Sequence, residues 1–209
     1  MKTGLIFDMD GTLWDSSKNV AASWTEKVRQ LGYDRPPITQ EDIMKVMGLT
    51  MDRLADIIFS DLPKDERMKL LELCGEYEND FLRQYGGVLY PELEETLARL
   101  RESYSLYIVS NCQKGYIEAF LEHYGFWKYF DDIECYGNNL LEKSDNIALL
   151  AQRNHLDRAF YIGDIQGDYD ATTKAGLPFI HAAYGFGTIQ QEVPELQAFR
   201  DLPELLKNL

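Results

Sequence analysis

The chain has 209 residues, 45% hydrophobic and 27% charged, with no low-complexity tract. That is enough for one large α/β domain or for a core carrying a smaller insertion, and it argues against disorder. A formal net charge of −14 opposes nucleic acid and anionic lipid surfaces, so an anionic substrate would need positive charge supplied locally. Three widely spaced cysteines, Cys74, Cys112 and Cys135, and an opening apolar run too short for a signal sequence lead us to expect a cytoplasmic protein with no membrane span.

In chain order, the first apolar run, residues 4–7, predicts a strand that ends on Asp8-Met9-Asp10-Gly11-Thr12. From Ser16 to Gly86 the pattern turns helical. Val20, Trp24, Val28 and Leu31 form one stripe, and Leu70, Cys74, Tyr77 and Phe81 another, with "RPPIT", "GLT" and "DLPKD" marking turns between segments. Strand-like runs then recur at 106–109, 133–135, 160–162 and 179–180. Between them lie helical spacings at Leu93, Leu97 and Leu100, at Ile117, Phe120, Leu121 and Tyr124, and at Ile147, Leu150 and Ala151. Unalternated strands separated by helices predict an α/β fold, a Rossmann-like doubly wound parallel sheet with both faces covered. The expected division is a catalytic core of residues 1–15 and 87–209, with an all-helical cap of residues 16–86 inserted after the first strand. Ligands of open parallel sheets bind beyond the carboxyl ends of the strands, so such an insertion would lie over the site.

Several of these strands deliver polar residues at their carboxyl ends. The first ends in Asp8 and Asp10, the second in Ser110 and Asn111, and "AFYIG" runs into Asp164 and Asp168, while Lys143 precedes a helix opened by Ser144. Four acids on one rim repel one another unless a cation is bound, and Mg²⁺, a hard ion that takes oxygen ligands and substrate phosphate, suits them. Ser110, Asn111 and Lys143 are the complementary half, donors and one point charge for a phosphate. Carboxylates on a metal together with donors and a lysine are the parts needed for phosphoryl transfer.

"DMDGTLWDS", "VSN", Lys143 and "GDIQGD", in this order, resemble the four motifs of the haloacid-dehalogenase-like superfamily, and phosphoglycolate-phosphatase-like members of subfamily I with a C1 helical cap in particular. The resemblance implies that Asp8 is the nucleophile, forming an aspartyl-phosphate, and that Asp10 is the general acid and then the base. It implies phosphate binding by Thr12, Ser110, Asn111 and Lys143, and a Mg²⁺ held by Asp8, the backbone carbonyl of Asp10 and Asp164, with Asp168 ligating or orienting through water. Relatives that dehalogenate or cleave phosphonates generally lack an acid at the position of Asp10, so a small phosphate monoester is the expected substrate. A β-phosphoglucomutase-like phosphomutase and a non-catalytic phosphate-binding protein are the alternatives.

Other residues have plainer readings. Lys143 is followed by Ser-Asp-Asn where many relatives carry a proline, which leaves Lys114 as a substitute. Gly48-Leu49-Thr50 resembles the glycine-led loop that such caps lower toward substrate. Cys112 is expected to be a packed thiol and Trp14 to pack beneath the hinge. His181 and "HAAYGFGT" are candidates for the substrate entrance, and Asp168 can cap its own helix.

Overall fold

A computed structural model describes residues 2–209. In chain order its elements are β1 (Thr3–Phe7), β2 (Trp14–Asp15), α1 (Ser17–Gln30), α2 (Gln40–Met44), α3 (Met51–Ile58), α4 (Lys64–Tyr85), β3 (Val88–Leu89), α5 (Leu93–Arg101) and β4 (Ser105–Ser110). They continue with α6 (Tyr116–Tyr124), β5 (Phe130–Cys135), α7 (Tyr136–Asn139), α8 (Lys143–Arg153), β6 (Arg158–Gly163), α9 (Gln166–Lys174), β7 (Phe179–Ala182), β8 (Glu195–Leu196) and α10 (Leu202–Leu205).

Six strands form one sheet in the order β5-β4-β1-β6-β7-β8, and every pairing within it is parallel. The chain leaves β1 to build β4 and β5 on one side and then crosses back to build β6, β7 and β8 on the other. The direction of winding therefore reverses at β1, and the crevice beyond its carboxyl end is the expected ligand site. Strand alternation explains why the central runs are apolar throughout. Leu5 and Phe7 face one buried cluster, while Ile6 faces another with Tyr107, Val109 and Tyr161. Helices cover both faces, so neither set of side chains meets water.

Helices α1 to α4 fill the stretch between β2 and β3 without a strand. The two-residue strands that bracket them pair antiparallel, Trp14 with Leu89 and Asp15 with Val88, so the outgoing and returning chain cross side by side. These strands were not visible in the sequence because two residues show no periodicity. Trp14 is fully buried at this crossing and packs edge-on against Tyr116, Phe120 and Tyr124 with ring centroids 5.7, 5.0 and 6.2 Å away, the hinge packing expected for it.

Two helical stripes differ from the expected ones. Leu31 lies just past the end of α1 and is 39% exposed. On α4 the expected Leu70 and Cys74 are buried and the buried face continues through Leu71, Gly75, Glu78, Asn79 and Leu82, whereas Tyr77 and Phe81 are half-buried. Apolar spacing follows the hydrocarbon on a helix, and a carboxyl and an amide on its inner face are invisible to it.

Candidate active site

At the end of β1 the backbone turns sharply. The amides of Thr12 and Leu13 donate to the Met9 carbonyl at 3.2 and 2.8 Å, and that of Gly11 to Trp14 at 2.9 Å. Gly11 sits at φ +82°, and a Cβ there would come within 2.1 Å of Asp164 Oδ2. Only glycine both adopts this φ freely and lets the Asp164 carboxylate close against the loop. The turn separates the two acids of "DMD". Asp8 continues the strand line, its amide donating to Ile162 at 2.9 Å. Asp10 faces the helical block, where its Oδ1 accepts from Ser16 Oγ at 2.6 Å and Tyr116 Oη at 2.7 Å.

Asp8, Asp164 and Asp168 converge, each buried, with one carboxylate oxygen from each lying within 4.8 Å of the others. Lys143, at the start of α8 and 5% exposed, donates to Asp8 Oδ1 at 2.8 Å and to Asp168 Oδ1 at 2.6 Å. Lys114 is exposed, so the lysine of this cluster is Lys143. Asp168 also caps α9: its Oδ2 accepts from the amides of Asp164 and Ile165 at 3.1 and 3.3 Å. The carboxylate of Asp10 is not among the three that meet.

The electrostatics follow from burial. Desolvation, with Asp168 next and Lys143 opposing, pushes the Asp8 carboxyl up to about 7. Burial together with Asp168 and Asp8 pushes Asp164 to about 8. Burial alone would lower the Lys143 ammonium, but Asp168 and Asp8 outweigh it and hold its pKa well above the ordinary value. One lysine thus faces a cluster in which Asp8 and Asp164 prefer to be neutral, and an added divalent cation would favour the ionised form of both. Three hard oxygen donors in a buried pocket fit such an ion. Burial lifts Asp10 to about 6, with the Ser16 and Tyr116 hydroxyls pulling the other way.

Of the expected phosphate ligands, Ser110 is buried at the end of β4, and the buried Thr12 hydroxyl finds no partner among the described residues. Asn111 is spent differently. Its Nδ2 donates to the Gly48 carbonyl of the helical block at 2.8 Å, and since a carbonyl can only accept, its Oδ1 is left as an acceptor, also without a partner among the described residues. The backbone amide of Asn111 and the second N–H of its Nδ2 remain as donors for an anion. The segment 181–187 wraps behind Asp164. His181 Nε2 lies 3.2 Å from the Asp164 carbonyl, and the Phe186 amide donates to Asp164 Oδ2 at 2.7 Å. Tyr184 Oη donates to the Thr12 carbonyl at 2.8 Å. Cys112 is a buried thiol whose pKa desolvation raises well above normal, as suits packing.

Sequence reasoning missed Ser16, Tyr116 and Glu78. The first two hold Asp10 from other segments. Glu78, 3% exposed, accepts from the Trp24 indole N–H inside the helical block. The acid at an inner position of α4 was the available signal, masked by the acidic residues around it.

A family model for haloacid dehalogenase-like hydrolases matches residues 5–182. Among curated proteins, the chain is 31% identical over 198 residues to a phosphoglycolate phosphatase of Vibrio parahaemolyticus, covering 87% of this chain and 84% of that one. It is 28% identical over 215 residues to a phosphoglycolate phosphatase of Rhodobacter capsulatus, covering 98% and 95%. A haloacid dehalogenase-like hydrolase from Streptococcus pneumoniae has the same fold, with a TM-score of 0.80 over 100% of this chain and 99% of that one at 24% identity. No helix among the described residues is long and apolar enough to cross a membrane.

Proposed function

The chain belongs to the haloacid dehalogenase-like hydrolases and is a phosphatase, and on that premise we propose that it hydrolyses a small phosphorylated metabolite through an aspartyl-phosphate on Asp8. The observation that carries this reading is the convergence of Asp8, Asp164 and Asp168 on Lys143 at the end of β1, with Asp10 held apart by Ser16 and Tyr116. Asp8, Asp164, Asp168 and the Asp10 carbonyl would hold Mg²⁺, which when bound supplies positive charge against the carboxylates and the phosphate.

Asp8 then attacks phosphorus, and the ester oxygen leaves with the proton that Asp10 gives it. In the second half, Asp10 takes a proton from water that attacks the acyl phosphate, releasing inorganic phosphate and restoring Asp8. A carboxyl whose pKa burial has raised to about 6 serves in both directions near neutral pH. The two hydroxyl bonds to one oxygen of Asp10 orient its carboxyl, leaving the other oxygen for the leaving group. Lys143 stabilises the phosphoryl oxygens as charge shifts onto them. Thr12 and Ser110 add hydroxyl donors, and the buried Thr12 hydroxyl, without a partner among the described residues, is available to an oxyanion.

Residues 16–86 act in this reading as a cap that opens at the β2–β3 crossing to admit substrate and closes to keep water from the first half-reaction. The test is phosphate release from a panel of phosphorylated metabolites with Mg²⁺, for wild type and Asp8→Asn. Asp8→Asn is expected to fall below about 10⁻³ of wild-type turnover while keeping its fold. Near-normal phosphatase activity in that variant refutes the covalent mechanism.

A further inference from the structure

Between the helical block and Asp10 lies a cavity of about 40 Å³. At roughly 10–15 Å³ per water it takes about three waters, the bulk of a leaving group of three or four non-hydrogen atoms. Its charged lining groups are both acids. Asp10 and Glu78 line it with Ser110, Asn111, Gln113 and Tyr116 as further polar side chains, and apolar side chains cover most of the rest. No lysine or arginine among the described residues lines it.

Two side chains in this wall keep unfilled acceptor positions. One Glu78 oxygen takes the Trp24 N–H, which leaves lone pairs of the carboxyl for a ligand, and the Asn111 amide is turned so that Oδ1 is unpartnered. A carboxylate entering here would meet Asp10, Glu78 and the Asn111 carbonyl oxygen with no lysine or arginine to offset its charge, and only neutral donors such as the Ser110 hydroxyl to replace its hydration. A group with N–H or O–H bonds would instead satisfy acceptors that are otherwise orphaned.

Resting on the phosphatase reading above, we propose that this cavity is the leaving-group subsite and that Glu78 receives a hydrogen-bond donor of the substrate. The preferred esters are then phosphates of small amino alcohols or polyols rather than of hydroxy acids. This separates the chain from its phosphoglycolate-cleaving relatives at the one part of the site that touches the alcohol. Glu78 is a specificity residue here, and the phosphoryl group lies where Ser110 and the Asn111 amide border the cavity, toward Asp8 and Lys143. Desolvation keeps the empty carboxyl at a raised pKa of about 8, and a bound ammonium would favour its ionised form.

The experiment measures kcat/KM with Mg²⁺ for 2-aminoethyl phosphate, glycerol 3-phosphate, 2-phosphoglycolate and p-nitrophenyl phosphate. The amino and glycerol esters are expected to exceed phosphoglycolate by at least about tenfold, the scale of one buried charge-assisted hydrogen bond. Glu78→Gln should lower the amino ester by about tenfold and the glycerol ester less, because an amide still accepts a bond but carries no charge. Glu78→Leu should lower both, chiefly through KM. A wild-type preference for phosphoglycolate refutes the subsite and leaves the phosphatase standing. If Arg53→Ala abolishes that preference, the alcohol lies in the outer groove that Arg53 shares with Lys143 and Lys174. Hydrolysis of none of the four esters overturns the phosphatase reading and this inference with it.

Discussion

Replacing Glu78 by glutamine perturbs one buried proton and little else. Burial holds this carboxyl at a pKa of about 8 against an ordinary 4.5, with the Trp24 and Gln113 side chains opposing the shift. A group whose folded pKa lies above its unfolded one binds more protons when folded, so stability is highest below the unfolded pKa and falls as pH climbs to the folded one. At roughly 1.36 kcal/mol per unit, the wild-type chain loses about 3 kcal/mol through Glu78 between pH 4.5 and 7, and about 5 kcal/mol by pH 8 and above. Glutamine has nearly the same volume, still accepts from Trp24 and does not ionise. The two proteins should agree within about 1 kcal/mol at pH 5, and the variant should be about 3 kcal/mol more stable at pH 7. In a chain of this length that opens a gap in Tm of about 6–12 °C. The assay is thermal and urea denaturation of both proteins in metal-free buffer every half unit from pH 5 to 8.5. Titrations of Asp8 and Asp164 are shared by both and cancel in the difference, whereas that of Asp10, whose charge helps raise Glu78, cancels only in part. A difference that stays flat across this range, or one in which wild type gains on the variant as pH rises, refutes the desolvated carboxyl.

The remaining tests address the reacting groups. Asp10→Asn should cost about 10²- to 10⁴-fold in kcat and leave acid-stable phosphoenzyme to accumulate, with a smaller loss in the burst phase for p-nitrophenyl phosphate, whose leaving group needs no proton; equal burst losses for aryl and alkyl esters would remove the general-acid role. Lys143→Met leaves the buried Asp8 and Asp168 carboxylates without their cation and should destabilise the metal-free protein by about 3–5 kcal/mol, part of which added Mg²⁺ restores; unchanged denaturation midpoints would show that the pair carries no such energy. Chelation with EDTA should abolish phosphate release, and Asp164→Asn should raise the Mg²⁺ concentration needed for half-activation by at least about tenfold. Full activity in EDTA rules out the metal, and an unchanged Mg²⁺ dependence removes Asp164 from its shell.

These outcomes separate what the chain states locally from what it states only when folded. The sheet was legible because a strand covered on both faces is apolar along its length, as in the runs that begin at residues 4, 106, 160 and 179; the run at 133–135 includes Glu134 and lies in the edge strand β5, and all five are in parallel strands. The two-residue strands β2, β3 and β8 were not, since so short a pairing depends on the neighbour and leaves no pattern. Asp8, Asp10, Ser110, Asp164 and Asp168 were legible as candidates because each follows a strand, and strand ends in such a sheet share one edge. Lys143 had only its order in the chain to support it.

The amino-acid sequence by itself determined the alternation of strands and helices, the acids at the strand ends and the all-helical stretch, because each is written in residues a few positions apart. Only the tertiary structure decided that Lys143 lies 2.8 Å from Asp8, 135 residues away. It likewise decided that Tyr116 reaches back 106 residues to hold Asp10 and that Asn111 spends its amide donor on Gly48. It also turned an ordinary acid of an acidic helix, Glu78, inward onto Trp24. Periodicity reports which face of an element is apolar. The partner a polar group finds on that face is set by distant segments that meet it after folding, and that partner governs its charge and its chemistry.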